Sequence, residues 1–106
     1  MTKGDIVLIT FPFTNLKGRK RRPAVILYEG NLDVIVAFIT SKINSEENHD
    51  LLIAPDEENG LKKLSLIRLN KVATLETDLI SGKIGEINKI QMLDLNTKLK
   101  TLFGID

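Results

Sequence analysis

Cysteine is absent from the 106 residues, which removes disulfides, thiolate nucleophiles and cysteine-based metal sites, and fits a reducing compartment. Histidine occurs once, as His49, in a polar stretch beside acidic residues. A Ser-His-Asp triad would have to use it, and no nucleophile-elbow pattern accompanies it. A lone loop histidine is more often solvated than ligating, and Glu46, Glu47 and Asp50 do not match the spacing of a known cation loop. Neither a glycine-rich phosphate loop nor a dinucleotide fingerprint is present. The longest apolar runs, such as Val34 to Ile39, are far too short to span a bilayer. Met1-Thr2-Lys3-Gly4-Asp5 leads straight into a strand pattern without an apolar leader, so cytoplasmic residence is expected. No metal, cofactor or membrane is expected. The remaining composition is that of an ordinary soluble chain, and its length suits one domain, residues 1–106.

Positive charge is not in excess either, since the net charge is only +1. It is concentrated instead. Lys17, Arg19, Lys20, Arg21 and Arg22 place five of the fifteen Lys and Arg residues within six positions. Glu46, Glu47, Asp50, Asp56, Glu57 and Glu58 form an acidic zone further on. Separated charge of this kind steers a polyanion to one side of a domain. Two readings of the basic run stand side by side: a solvated loop that keeps the chain soluble, and a set of phosphate contacts that displace counterions.

Periodicity and turn chemistry give a mainly β chain with one helix at its end. Asp5–Thr10 is β-branched and apolar and reads as a strand, closed by Phe11-Pro12-Phe13, whose aromatics would cap one end of a barrel. Thr14–Arg21 reads as a loop, Pro23–Tyr28 as the second strand and Asp33–Thr40 as a third, central strand buried on both faces. Leu51–Ala54 reads as a short strand stopped by Pro55, and Ser65–Ala73, continuing through Leu75, as a fifth. Leu79–Ile87 holds two glycines around short apolar pieces and reads as a further short strand. Asn88 and Gln91 have the spacing of a capping box, Met92, Leu95, Leu99, Leu102 and Phe103 fall on one helical stripe, and Gly104 supplies the stop. The sum is a small barrel with a C-terminal helix packed on it.

Within that outline Arg22 and Thr40 draw together. Pro23 fixes the backbone beside Arg22, so the guanidinium leaves the core from a defined point and can fork onto two phosphate oxygens. Thr40-Ser41-Lys42 sits where the most apolar strand meets solvent. Alone, it reads as a strand exit whose hydroxyls satisfy local backbone groups. A short turn at residues 29–32 makes the second and third strands a hairpin, which brings the start of one, Arg22, near the end of the other, Thr40.

Lys3-Gly4-Asp5-Ile6-Val7, the run Gly18 to Leu27, Ala37-Phe38-Ile39-Thr40-Ser41-Lys42, and Gly60-Leu61 with Ser65 to Thr74 together resemble the PemK/MazF toxins of bacterial type II toxin–antitoxin systems. The resemblance covers nearly the whole chain. It implies an SH3-like β-barrel of the CcdB/PemK/MazF toxin type, a homodimer, and a metal-independent endoribonuclease acting on single-stranded RNA. Cleavage in the family runs by attack of the ribose 2′-hydroxyl, leaving a 2′,3′-cyclic phosphate and a 5′-hydroxyl. By the matching motifs, Arg22 and Thr40 are the expected catalytic residues, with Arg68, Asn70 and Ser41 in support. Lys17, Arg19, Lys20, Arg21 and Lys42 are the expected RNA-binding residues. A cognate antitoxin is the expected protein partner. Two features depart from the family pattern. Asn70 stands where some members carry an aspartate two residues after the arginine matched by Arg68, and the first loop has no histidine. Two alternatives share the fold: a CcdB-like gyrase inhibitor, and an RNA- or DNA-binding barrel without cleavage.

Overall fold

A computed structural model describes residues 1–12 and 19–106. Six strands form one antiparallel sheet: β1 Asp5–Pro12, β2 Arg19–Glu29, β3 Asp33–Thr40, β4 Asp50–Ile53, β5 Ser65–Glu76 and β6 Ile80–Glu86. Their spatial order is β4-β5-β3-β2-β1-β6, and the helix α1 (Lys89–Phe103) follows. The hairpins β1–β2 and β2–β3 build the centre. β5 then pairs with the outer side of β3, and the chain returns to put β6 beside β1.

The basic run is the main departure from the expected elements. Arg19 to Arg22 are not loop residues: they pair with Pro12, Phe11, Thr10 and Ile9 of β1. β1 correspondingly runs on through Phe11 and Pro12. A proline at the last position of a ladder forfeits only its own donor, so it does not end the strand earlier. Pro23 lies inside β2, opposite Leu8 on one side, while the pairing with β3 on the other begins only at Ala24. The missing N–H therefore removes no rung of the β2–β3 ladder, which starts at Ala24. Local charge and proline suggested a loop, and long-range pairing overrode both. Phe13 and Lys17 lie outside the described residues.

Two apolar clusters occupy the two faces of the sheet. One joins Ile6, Val25, Ala37, Ile39, Leu51, Ile53, Ile67, Leu69 and Ile87 to Leu95 of the helix, with Met92, Leu99 and Leu102 packed against it. The other holds Val7, Ile9, Ala24, Ile26, Val34 and Val36, with Phe38, Leu75 and Ile80 beside them. Strand alternation sorts the residues: Val25 and Ala24 are neighbours in sequence and sit in different clusters. β5 serves both because its pairing with β3 shifts between Ala37 and Phe38, where the partner jumps from Val72 to Arg68.

The helix begins with the capping box: Asn88 Oδ1 accepts from the backbone N–H of Gln91 (2.8 Å) and Gln91 Oε1 accepts from that of Asn88 (2.9 Å). It ends at Gly104, which takes the left-handed conformation with φ 69°. Phe103 was expected on the buried stripe but is 60 % exposed. It is the last helical residue, beyond the part of the stripe that reaches the sheet. A second glycine carries a firm constraint. Gly60 has φ +69° and lies so near β6 that a Cβ would stand 2.1 Å from the carbonyl oxygen of Ile84.

One edge of the sheet is pinned by charge. Lys83 Nζ is 3.3 Å from the buried carboxylate of Asp5. Its hydrogen bond to Asp5, followed by the charge of that group, raises the Lys83 pKa above the ordinary lysine value. A raised folded-state value contributes stability that is complete below the unfolded pKa and is lost as pH rises through the folded one. Lys83→Gln is therefore expected to lower the melting temperature at neutral pH, with the gap closing above about pH 10.4. Melts across that range check it, and a constant gap would remove the ion pair as the cause.

Candidate functional site

A cleft of about 510 Å³ opens where β2, β3 and β5 meet, lined by Arg22, Phe38, Ile39, Thr40, Lys42, Ser45, Arg68 and Lys71. Its floor is apolar and its walls carry four cations. Among the described residues no group of three His, Cys, Asp or Glu side chains is placed to hold a metal ion.

Register puts Arg22 and Thr40 together. The β2–β3 ladder pairs Val25 with Ala37 and ends at Ala24 with Phe38, two residues short of Arg22 and Thr40, and both of these line the cleft just beyond it. Arg22 is exposed at the point where the strand leaves the core, three residues inside the β1–β2 ladder. Thr40 ends β3, and its hydroxyl oxygen accepts from the backbone N–H of Lys42 at 3.1 Å. That is the local strand-exit bond expected for a threonine here, and it also orients the side chain. Accepting through a lone pair leaves the hydroxyl its proton to donate to an anion. The same turn directs Lys42 into the cleft.

Arg68 enters from β5, across the ladder from Phe38 on one side and Asp50 on the other. Its Nη2 donates to the carbonyl oxygen of Ser45 at 3.2 Å and to the Ser45 hydroxyl. Its Nη1 lies 3.5 Å from Asp50 Oδ2 and 3.7 Å from Glu47 Oε1. Asn70 does not line the cleft: its amide donates to Glu47 Oε2 at 3.1 Å. Negative charge thus reaches Arg68 from Asp50 at the start of β4 and from Glu47 just before it, not from its own strand.

Of the sequence candidates, Arg22, Thr40, Lys42 and Arg68 share the cleft. Ser41 is exposed and does not line it. Strand alternation divides the basic run: Lys20 shares the face of Arg22, and Arg21 takes the opposite one. Both are exposed, and neither lines the cleft. Lys17 and the side chain of Arg19 are outside the described residues. Sequence reading missed Lys71 and Ser45 as lining residues. Lys71 sits just after the Arg68–Asn70 segment, a signal that adjacency offered. Ser45 is 23 positions from the arginine it contacts, and no local pattern could connect them.

Comparison with known proteins follows the same outline. The profile of a family described as PemK-like, MazF-like toxin of type II toxin-antitoxin system matches residues 2–103. No curated protein sequence matches the chain. Among solved structures, a Mycobacterium tuberculosis toxin, MazF-mt6, superposes with a TM-score of 0.74 at 21% identity, over 94% of this chain and 98% of that one. An endoribonuclease from a mycobacterial species, solved with its cognate antitoxin, gives 0.74 at 19% identity, over 100% and 95% of the two chains. A MazE-MazF complex from Deinococcus radiodurans gives 0.76 at 17% identity, over 100% and 98%. At these identities the structures establish a shared fold.

Proposed function

The chain belongs to the family of PemK-like, MazF-like toxins of type II toxin–antitoxin systems, and from that premise we propose that it is a metal-independent endoribonuclease that cuts single-stranded RNA at the cleft of Arg22 and Thr40. The observation that carries the reading is the convergence of Arg22, Thr40 and Arg68, from three different strands, on one cationic cleft. A solved structure with the same fold is described as an endoribonuclease bound to its cognate antitoxin.

The chemistry needs no protein nucleophile. The ribose 2′-hydroxyl gives up its proton to solvent as its oxygen attacks the adjacent phosphorus, and the bond to the 5′-oxygen breaks, that oxygen taking a proton from solvent. The products are a 2′,3′-cyclic phosphate and a 5′-hydroxyl that has gained a proton. Charge builds on the non-bridging oxygens in the transition state, and fixed donors aimed at that place accelerate the step. Arg22 supplies a two-pronged, permanently charged donor and Thr40 a neutral one. Arginine is a poor proton shuttle because its pKa is so high, so its part is electrostatic. Lys42 and Lys71 hold the neighbouring phosphates. DNA lacks the attacking hydroxyl and is bound without being cut.

A cognate antitoxin is the partner, with an acidic segment matched to the cationic cleft. The same reading includes an SH3-like closure of the sheet, a homodimer and a cytoplasmic site of action. The test is incubation of the purified protein with single-stranded RNA in EDTA. Cyclic-phosphate ends support the reading. Binding without cleavage, or gyrase inhibition with RNA left intact, sinks it. Thr40→Val is expected to lower kcat about tenfold or more while changing KM little, because the lost donor acts mainly on the transition state. Equal changes in kcat and affinity would leave Thr40 a binding residue only.

A further inference from the structure

Arg68 reaches the cleft as a partly buried side chain, 14% exposed, hydrogen-bonded to Ser45 and ion-paired with a carboxylate from another strand. Asp50 opens β4 directly across the ladder from Arg68. Its side chain is 0% exposed, whereas that of Glu47, the second carboxylate near the guanidinium, is 57% exposed. Asp50 is itself immobilised. Oδ2 accepts from the backbone N–H of Glu47 at 2.7 Å, and the backbone N–H of Asp50 donates to the carbonyl of Glu47 at 3.1 Å. Oδ1 is buried with no hydrogen-bond partner among the described residues.

Burying a carboxylate is costly unless a cation and hydrogen bonds compensate, and a pair in which one oxygen stays unsatisfied is a poor way to gain stability. What such a pair does supply is direction. Arginine has a long side chain with many rotamers, and a cleft that must meet developing charge gains from a guanidinium already in place. Ser45 fixes one edge of the Arg68 group and Asp50 another. Asn70, two residues further along the strand, carries no charge and cannot substitute.

We propose that Asp50 is a positioning residue for the cleft: the buried carboxylate on β4 sets the orientation of Arg68, which faces the phosphate site shared with Arg22 and Thr40. This rests on the ribonuclease reading of the cleft. It goes further in giving the acid that orients the β5 arginine a place on a different strand, 18 residues before it in sequence.

A double-mutant cycle separates positioning from a plain structural staple. Asp50→Asn, Arg68→Ala and the double variant are assayed for kcat and KM on a single-stranded RNA oligonucleotide, with circular dichroism and melting temperature as checks of folding. Acting through Arg68, Asp50→Asn lowers kcat about tenfold in the native background, with KM within about threefold, and changes kcat less than about twofold once Arg68 is alanine. Losses of the same size in both backgrounds overturn the proposal. Where Asp50→Asn does not fold, Asp50→Glu carries the test. It keeps the charge and moves the carboxylate by about one bond, and displacement on that scale costs turnover. Wild-type kcat in folded Asp50→Glu overturns the proposal, and a lowered kcat with retained KM supports it. The two readings fail differently. Wild-type protein that leaves RNA intact removes the ribonuclease assignment and this inference together. Wild-type cleavage that Arg22→Ala abolishes, with additive losses in the cycle, removes only the role of Asp50.

Discussion

Arg22→Ala is expected to reduce kcat/KM for cleavage of single-stranded RNA by about 10²–10³-fold, a loss of about 3–4 kcal/mol in transition-state stabilisation. The protein should stay folded. Arg22 is exposed, and substitutions of surface side chains outside packed features usually move stability by no more than about 0.5 kcal/mol. The backbone at Arg22 is held by the ladder to β1, which does not depend on the side chain. Arg22→Lys should fall between wild type and alanine, because it keeps the charge and loses the planar fork. Affinity for an uncut 2′-deoxy oligonucleotide should drop far less than kcat. Lys42, Arg68 and Lys71 still line the cleft and continue to attract the backbone. Residual cleavage within about threefold of wild type would place the reacting phosphate somewhere other than Arg22.

Leu95→Ala carries the largest expected effect on stability, about 2–5 kcal/mol. Leu95 is 0% exposed and is the one fully buried residue of the helix. It enters the cluster that contains Ile6, Val25, Ala37, Ile67 and Leu69. Its truncation therefore opens a cavity where the helix packs on the sheet. Stability of small domains is commonly only about 5–15 kcal/mol, so this one change could remove a large part of it. Chemical denaturation reads the loss as a lower midpoint at unchanged slope. Ile90→Ala, at a helix position that is 73% exposed, is the matched control and should be close to neutral. Equal losses in the two variants would mean that the helix does not dock through Leu95.

Two features bearing on these predictions were legible in very different degrees. The helix was visible in full because its signals are local. Asn88, Gln91 and Gly104 announce its ends, and the apolar stripe its buried side, with Phe103 the exception. The third strand was equally clear, since a continuous apolar run flanked by turn and polar residues has few other solutions. The basic run misled because its charge and its proline imitate a loop. Only pairing with β1 makes Arg19 to Arg22 a strand, and that pairing depends on residues on the far side of the undescribed segment.

The candidate site divides along the same line. Arg22 and Thr40 could be brought together from sequence because a short hairpin turn fixes which residues face each other. Arg68 could be named from its motif, and the departure at Asn70 marked a missing acid. The acid that stands against Arg68 could not be found that way. Asp50 looked like part of a solvated acidic zone, yet the β4–β5 register buries it against the guanidinium.

By itself, then, the sequence determined the class of fold, the ends of the helix, the hairpin that joins Arg22 to Thr40 and the absence of any cysteine chemistry. Each of these follows from short-range spacing or from composition, which physics reads within a turn or two of chain. The tertiary structure alone decided that Arg19 to Arg22 pair as a strand with β1, that Lys71 and Ser45 belong to the cleft, and that Asp50 is the buried partner of Arg68. Those depend on register between strands distant in sequence. Register is set by the packing of both sheet faces at once, and no local pattern carries that information.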